Sequence, residues 1–398
     1  MENFGQDLRR SLYRGRDLVR AVDIRDLRAM ARRRLPALVF EYLEGGAEEE
    51  LTLRRNRAAY DDIALMPRML RRVGGATLAG DLLGRPAPLP VAVAPTGFNG
   101  LLWPQGDIAL ARAAAAAGLP FTQSTVSNDP LEAVAAVPGL RHWMQLYVFQ
   151  SQTAVEMLLR RAEAAGSEAL VLTVDGSVFG NRSWDKRSYR AGTDPTLARK
   201  LEMLRHPRWM LDLMRHGTPR FATLAEALPD GKSDMVSAAT WLREQTDPDL
   251  DWDRVDWLRR HWPRRLILKG LLAPQDVEMA IRHGADAVVL SNHGDRQLDG
   301  APSPIEVLAQ AVPIAKGRLK LFIDSGIRRG SDIVKALSLG ADGVLVGRAA
   351  LYGLGAAGTP GAGRALHLLQ EEAERCAALL GCPSRAELDE SCLFRRPE

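Results

Sequence analysis

His293, one of seven histidines, stands just past a short apolar run, A-V-V-L at 287–290, with Ser291 and Arg296 within three residues of it. An imidazole beyond a buried strand and beside a guanidinium pairs a proton acceptor with an anion clamp. Other apolar runs end in the same way. They give out into Pro95-Thr96-Gly97, Ser124, Gln145 and Tyr147, Thr173 and Asp175, Lys269, Asp324-Ser325-Gly326-Ile327-Arg328, and Gly347-Arg348. A chain that had only to pack would have little use for a histidine, a lysine, aspartates and arginines at run after run, so these ends are expected to meet in an active site. The last two put glycine beside arginine, a close backbone approach with a planar cation, which suits a phosphate group. One such loop is as readily an ordinary turn with a surface arginine. Two matching loops favour a phosphorylated ligand.

Regular elements must hold these ends. From residue 88 short apolar runs alternate with amphipathic segments, the pattern of a parallel sheet with helical connections. Candidate strands are Val91–Pro95, Phe121–Thr125, Trp143–Val148, Ala169–Asp175, Arg265–Lys269, Ala287–Ser291, Lys320–Asp324 and Gly343–Val346. Helices are expected at Asp107–Ala117, Ala154–Ala165, Pro274–His283, Ile305–Ala311 and Ser331–Leu339, several closed by glycine. Eight strand–helix units predict an α/β fold, a (β/α)8 TIM barrel, with its chemistry at the C-terminal strand ends. The beat breaks once, after Asp175. The reading is thus one domain over 1–398: an N-terminal helical cap at 1–87, barrel at 88–175 and 265–350, an inserted loop region at 176–264, and a C-terminal helical region at 351–398 that includes a helix over Arg364–Leu380.

Composition narrows the class. The chain has 398 residues, 46% hydrophobic and 26% charged, which is globular usage. Its three cysteines, Cys376, Cys382 and Cys392, follow no ligand or disulfide spacing, so no metal site and a reducing compartment are expected. A net charge of +4 argues against a nucleic-acid partner. No apolar run reaches the roughly 18 residues of a spanning helix, and the basic N-terminus lacks a signal-peptide core, so a cytoplasmic protein is expected. Residues 1–40 hold ten arginines against five acids at helical spacing, read as a solvated face. G-L-G-A-A-G at 353–358 spells a dinucleotide fingerprint but follows a helical stretch rather than closing a strand, and is set aside.

The strings S-N-H-G-D-R-Q-L-D at 291–299, L-I-L-K-G at 266–270, D-S-G-I-R-R-G at 324–330 and Q-L-Y at 145–147 resemble the FMN-dependent L-2-hydroxy acid dehydrogenases and oxidases. The likeness runs from about Leu35 to the G-C-P at 381–383. P-T-G-F-N-G-L-L-W-P-Q-G at 95–106 and H-P-R-W-M-L-D-L-M-R-H-G at 206–217 look most like the mandelate-type branch of that family. Oxidising a 2-hydroxy acid takes a base, a cationic carboxylate clamp and a two-electron acceptor. The resemblance implies FMN as that acceptor, His293 as base, Asp175 as partner of the imidazolium, and Arg182 and Arg296 as the clamp. It places Tyr42 and Tyr147 on the substrate, and Lys269 beside the flavin edge where negative charge develops. Pro95, Thr96, Gly97, Ser124, Gln145, Thr173 and Ser291 are implied to line the isoalloxazine and ribityl groups. The 324–328 loop (Asp324, Ser325, Gly326, Ile327, Arg328) with Gly347 and Arg348 is implied to hold the phosphate. A quinone or other electron acceptor and a homo-oligomer, a tetramer by expectation, complete the implied partners; oxygen as acceptor, lactate as substrate and a flavin barrel without redox role stay open as alternatives.

Two residues depart from the family pattern. Asp295 replaces a usual glycine, adding a carboxylate that either perturbs its neighbours or faces solvent. Val126 is smaller than the aromatic residue common in short-chain oxidases, leaving room for a bulky substituent. Residues 196–228 combine the bases Arg199, Lys200, Arg205, Arg208, Arg215 and Arg220 with apolar bulk, as a peripheral contact with the inner face of the cytoplasmic membrane requires, Trp209 suiting the headgroup level. The alternative is a lid or subunit contact, since Pro207 and Pro219 interrupt any long helix.

Overall fold

The computed structural model describes residues 11–191, 194–228 and 234–394. Strands β1 (Val91–Val93), β2 (Pro120–Gln123), β3 (Arg141–Leu146), β4 (Ala169–Thr173), β5 (Arg265–Leu271), β6 (Ala287–Leu290), β7 (Lys320–Ile323) and β8 (Gly343–Val346) pair in parallel in chain order, and β8 closes onto β1. Their near-continuous apolar sequences reflect burial on both faces. Helices surround the ring. They include α1 (Ile24–Arg34), α2 (Ala37–Glu44) and α3 (Leu51–Asp61) ahead of it, α4 (Gly106–Ala116) and α5 (Gln152–Ala164) in the first half, and α6 (Leu197–Met203), α7 (Pro207–His216), α8 (Met235–Gln245) and α9 (Trp252–His261) in the insertion. The second half carries α10 (Pro274–Arg282), α11 (Pro304–Ala315) and α12 (Gly330–Ser338), and α13 (Arg348–Leu380) follows β8. This is the expected (β/α)8 barrel.

Period-two alternation inside the ring decides where the chemistry goes. Ala92, Trp143, Val171, Ile267, Val289, Phe322 and Leu345 belong to one apolar cluster within it. Two residues further along the same faces stand Ala94, Gln145, Thr173, Lys269, Ser291, Asp324 and Gly347. The interior therefore turns from apolar to polar at the C-terminal rim.

Several expectations need correction. The cap is not wholly helical: a hairpin, Gly80–Leu82 with Arg85–Ala87, sends Leu82 and Ala87 into the interior cluster at the N-terminal end. The helix expected at Arg364–Leu380 starts earlier, just after a break at Ala357 and Gly358, and a further helical segment from Arg348 runs up to that break. There Gly353 packs on Gly361, where a Cβ would lie 2.2 Å from the Gly361 carbonyl oxygen, so these glycines serve close packing. As expected, no long helix crosses the prolines: α6 ends at Met203, Pro207 starts α7 at a position where a missing N–H is harmless, and α7 ends before Pro219. Trp209, by contrast, does not face outward; it is 6% exposed and its Nε1 donates to the Leu101 carbonyl at 2.8 Å.

Candidate active site

The rim encloses a cavity of about 870 Å3 lined by nearly every residue expected of the site. His293 enters it from a strained loop: His293, Gly294 and Asp295 all adopt positive φ, 58°, 65° and 65°. The turn swings the imidazole off the strand axis. Its Nδ1 lies 2.9 Å from Asp175 Oδ1, and its Nε2 faces the Tyr147 hydroxyl at 3.5 Å. Asp175 stands beyond the end of β4, behind the histidine rather than on the cavity. Gly270, at φ 109°, makes that approach possible, since a Cβ there would lie 2.5 Å from Asp175 Cγ. Burial alone pushes the Asp175 carboxyl up, but its pairing with the His293 imidazole and the Lys269 charge overcome it and hold the group below the usual range. Burial, reinforced by Asp175, pushes the Tyr147 phenol well up, keeping it a proton donor at neutral pH.

Lys269 is buried and forms an ion pair with Asp324 at 3.1 Å. Burial opposes its charge; Asp324 and Asp175 more than restore it, so its pKa is raised and the ammonium persists. Ser291, expected against the cofactor, is buried beside the cavity. Its hydroxyl accepts from Lys269 Nζ at 2.9 Å and from the His293 amide at 3.0 Å, bracing both groups.

On the far side Tyr42 carries two guanidinium groups over its ring, Arg296 at 4.6 Å and Arg182 at 5.7 Å from the centroid. Arg296 Nη1 donates to the Tyr42 and Gly45 carbonyls at 2.8 and 3.1 Å, while its buried Nη2 has no partner. Burial and the Arg182 charge lower the Arg296 pKa, which marks a spot short of negative charge. Arg348 departs from a simple phosphate ligand: its Nε, Nη1 and Nη2 donate to the Leu43, Gly294 and Gly45 carbonyls at 3.0, 2.8 and 2.8 Å. Part of its donor set therefore ties the cap to the barrel. The Arg328 side chain donates once, to the Ile327 carbonyl, and stacks on Tyr352.

The rim fits FMN. Gln145 spends its Oε1 on Ser124 and the Thr125 amide, leaving a buried Nε2 without a partner, and Thr173 Oγ1 is likewise buried and unpartnered. Such atoms need a polar ligand. A Cβ on Gly347 would meet nothing of the protein closer than 3.8 Å, so that glycine leaves open space at the head of α13, next to Arg348 and Arg328.

Sequence reasoning missed part of the lining. Gln297 donates to the Val178 carbonyl at 3.1 Å and accepts from the Gly180 amide at 2.8 Å, pinning the loop that carries Arg182. Its place in the 291–299 string was the available signal. Phe179 and Leu242 line the mouth from the insertion, where no strand beat announces them.

A closed barrel with a histidine–carboxylate pair, two guanidinium groups over Tyr42 and open space beside Arg348 and Arg328 suits a flavin-dependent oxidoreductase. The chain belongs to the FMN-dependent dehydrogenase family, whose sequence pattern matches residues 31–395, and FMN is its cofactor. It is 44% identical to (S)-mandelate dehydrogenase of Pseudomonas putida over 92% of each chain, and 41% identical to an L-lactate dehydrogenase of Xanthomonas euvesicatoria over 93% of this chain and 95% of that one. Its structure superposes on a crystal structure of the monotopic membrane protein (S)-mandelate dehydrogenase with TM-score 0.90 and 42% identity, over 94% of this chain and 99% of the other.

Proposed function

We propose that this enzyme oxidises an (S)-2-hydroxy acid with a large, aryl-type substituent, mandelate first, to the 2-oxo acid and passes the electrons to a quinone-type acceptor. One observation carries the reading: His293 Nε2 faces the cavity with its other nitrogen on Asp175, across from the unpartnered Arg296 Nη2. The guanidinium groups of Arg296 and Arg182 take the substrate carboxylate, as planar donors matched to two oxygens. Tyr42 and Tyr147 orient the carboxylate and the reacting oxygen. His293 accepts the proton, and Asp175 stabilises the imidazolium that results. FMN, when bound, takes up the two electrons. Gln145, Thr173, Ser124 and the Pro95–Gly97 turn would hold its ring and ribityl chain, Lys269 would supply positive charge at its edge, and Arg328, Gly347 and Arg348 would hold its phosphate.

The (S) handedness is taken from the named relatives. The size argument rests on Val126, which lines the cavity and takes less of it than an aromatic side chain at that position would. A second reading keeps lactate as substrate, supported by the lactate dehydrogenase relatives, and a third keeps oxygen as acceptor, supported by a mandelate oxidase structure matching at TM-score 0.80 and 37% identity. Peripheral membrane binding and a homo-oligomer, a tetramer by family likeness, belong to the same proposal. The test is anaerobic titration of the holoenzyme with mandelate, lactate and glycolate. Mandelate is expected to bleach the flavin fastest; glycolate equal to it would overturn the size argument, and no bleaching by any would overturn the reaction.

A further inference from the structure

Asp295 is fully buried, and neither of its carboxylate oxygens makes a well-formed hydrogen bond, although the Leu53 amide lies near enough to act on it. It also holds φ 65°, a left-handed conformation that non-glycine residues adopt at a cost. Its side chain wedges against the turn between α2 and α3. A Cβ on Gly46 would lie 2.0 Å from Asp295 Oδ2, and the Ala47 amide donates to the Asp295 carbonyl at 2.6 Å. That turn positions the catalytic cations: the Gly45 carbonyl accepts from Arg296 at 3.1 Å and from Arg348 at 2.8 Å. Asp295 thus supports the one carbonyl shared by the substrate side and the phosphate side of the cavity.

The charged surroundings decide which form of Asp295 fits. On its own loop stands Asp299, which caps α3 through the Thr52 amide at 2.8 Å; on the turn, Glu50 accepts from the Gly46 amide at 3.0 Å. Arg348 at the head of α13 and the Leu53 amide in the first turn of α3 act the other way. Arg296 follows in sequence, but both hydrogen bonds of its Nη1 are spent on the turn itself. Burial first, and the Asp299 charge second, push the carboxyl up to about 7, so the neutral form prevails below neutrality and the ionised form above it. An ionised Asp295 in a dry pocket must find a partner. The available moves are to draw Arg348 off the Gly45 and Gly294 carbonyls or to push the turn outward to admit water, and either loosens Arg296.

We propose that Asp295 is a positioning residue: its protonated form keeps the Gly45–Ala47 turn closed on Arg296 and Arg348, and its ionisation opens that turn and weakens carboxylate binding. The inference rests on the 2-hydroxy acid reading of the site.

The experiment compares wild-type holoenzyme with Asp295→Asn, a neutral isostere, and Asp295→Gly, which also relieves the backbone. Anaerobic flavin bleaching at limiting (S)-mandelate is followed from pH 5.5 to 9. The wild-type rate is expected to fall by up to about tenfold per pH unit above neutrality, as for loss of one proton, while both variants hold a plateau. The second readout needs no reaction: the dissociation constant of phenylacetate, a carboxylate with no hydroxyl to lose, read from its perturbation of the flavin spectrum. It should weaken with pH in wild type alone. A third readout is unfolding temperature. The buried carboxyl stays protonated when folded and ionises above 3.8 when unfolded, so wild-type stability should drop relative to the variants between about pH 4 and 7 and run parallel above. Parallel rate and phenylacetate profiles in all three proteins would overturn the proposal, even with a widening gap in unfolding temperature, because Asp295 would then be only a structural burden. Absence of bleaching at every pH would strike the reaction reading instead, and the phenylacetate profiles would then decide the role of Asp295 alone.

Discussion

Replacing Asp175 by Asn tests whether the carboxylate behind His293 works by charge or only by shape. The pair is 2.9 Å apart and both side chains are mostly buried, 14% and 22% exposed, so solvent screens them weakly. When His293 accepts the substrate proton, a neutral imidazole facing a carboxylate becomes an ion pair with charge centres some 4 Å apart. At an effective dielectric constant of about 20 that attraction is about 4 kcal/mol. Half the proton transferred in the transition state corresponds to about 2 kcal/mol, so the rate of flavin reduction should drop by about 30-fold to about 1000-fold. Asparagine keeps the volume and can still accept from Nδ1, which separates charge from packing. The assay is single-turnover anaerobic bleaching by saturating mandelate, with FMN content measured on the same sample. A loss below about threefold with FMN retained would refute the reasoning, since the buried charge would then not be felt by the reacting proton.

The barrel was legible because its strands, covered on both sides, read as unbroken apolar runs; all eight were placed, with ends misjudged by up to two residues. Those errors are informative. Asp175 and Ser291 continue apolar runs in sequence yet lie just past the ends of β4 and β6, where their side chains turn to partner His293. The hairpin at 80–87 was missed because only Leu82 and Ala87 face the interior, too few residues for an alternation to show. In the insertion the sequence shows basic and apolar residues together without saying which face each takes. Trp209, read as an outward anchor, turned inward because its indole N–H meets the Leu101 carbonyl. Arg348 was legible as a cation at the phosphate end, but a carbonyl 303 residues earlier in the chain, that of Gly45, cannot be read from its local string. Motif strings gave residue types, and only the closed ring supplied partners.

Three further outcomes are expected. His293→Gln should abolish flavin reduction while leaving one non-covalent FMN per chain; retained activity with lost flavin would reverse the assignment of base and cofactor residues. Burial holds the His142 imidazole down to about 4 from its ordinary 6.5, so the unfolded chain takes up the proton first as pH falls. Native stability should lose about 3 kcal/mol between those values, and His142→Gln should lose less over the same range by urea unfolding; equal losses would show that His142 carries no linkage. The last concerns the insertion. With Trp209 turned inward, the surface left for a membrane is Leu197, Leu201, Leu204, Leu211 and Met214, 40–74% exposed, among Lys200, Arg205, Arg208 and Arg215. No helix among the described residues is long and apolar enough to cross a bilayer, so any attachment from this surface is interfacial. Inserting Leu201, Leu204 and Met214 at about 1.5 kcal/mol each contributes roughly 4.5 kcal/mol, and changing all three to Glu should weaken binding to anionic vesicles at least about 100-fold. High salt should weaken the wild type further, through the bases. Vesicle binding unchanged in the triple variant would mean that another surface carries the contact, and a wild-type protein fully soluble at low salt would mean that these leucines cover a neighbouring subunit instead.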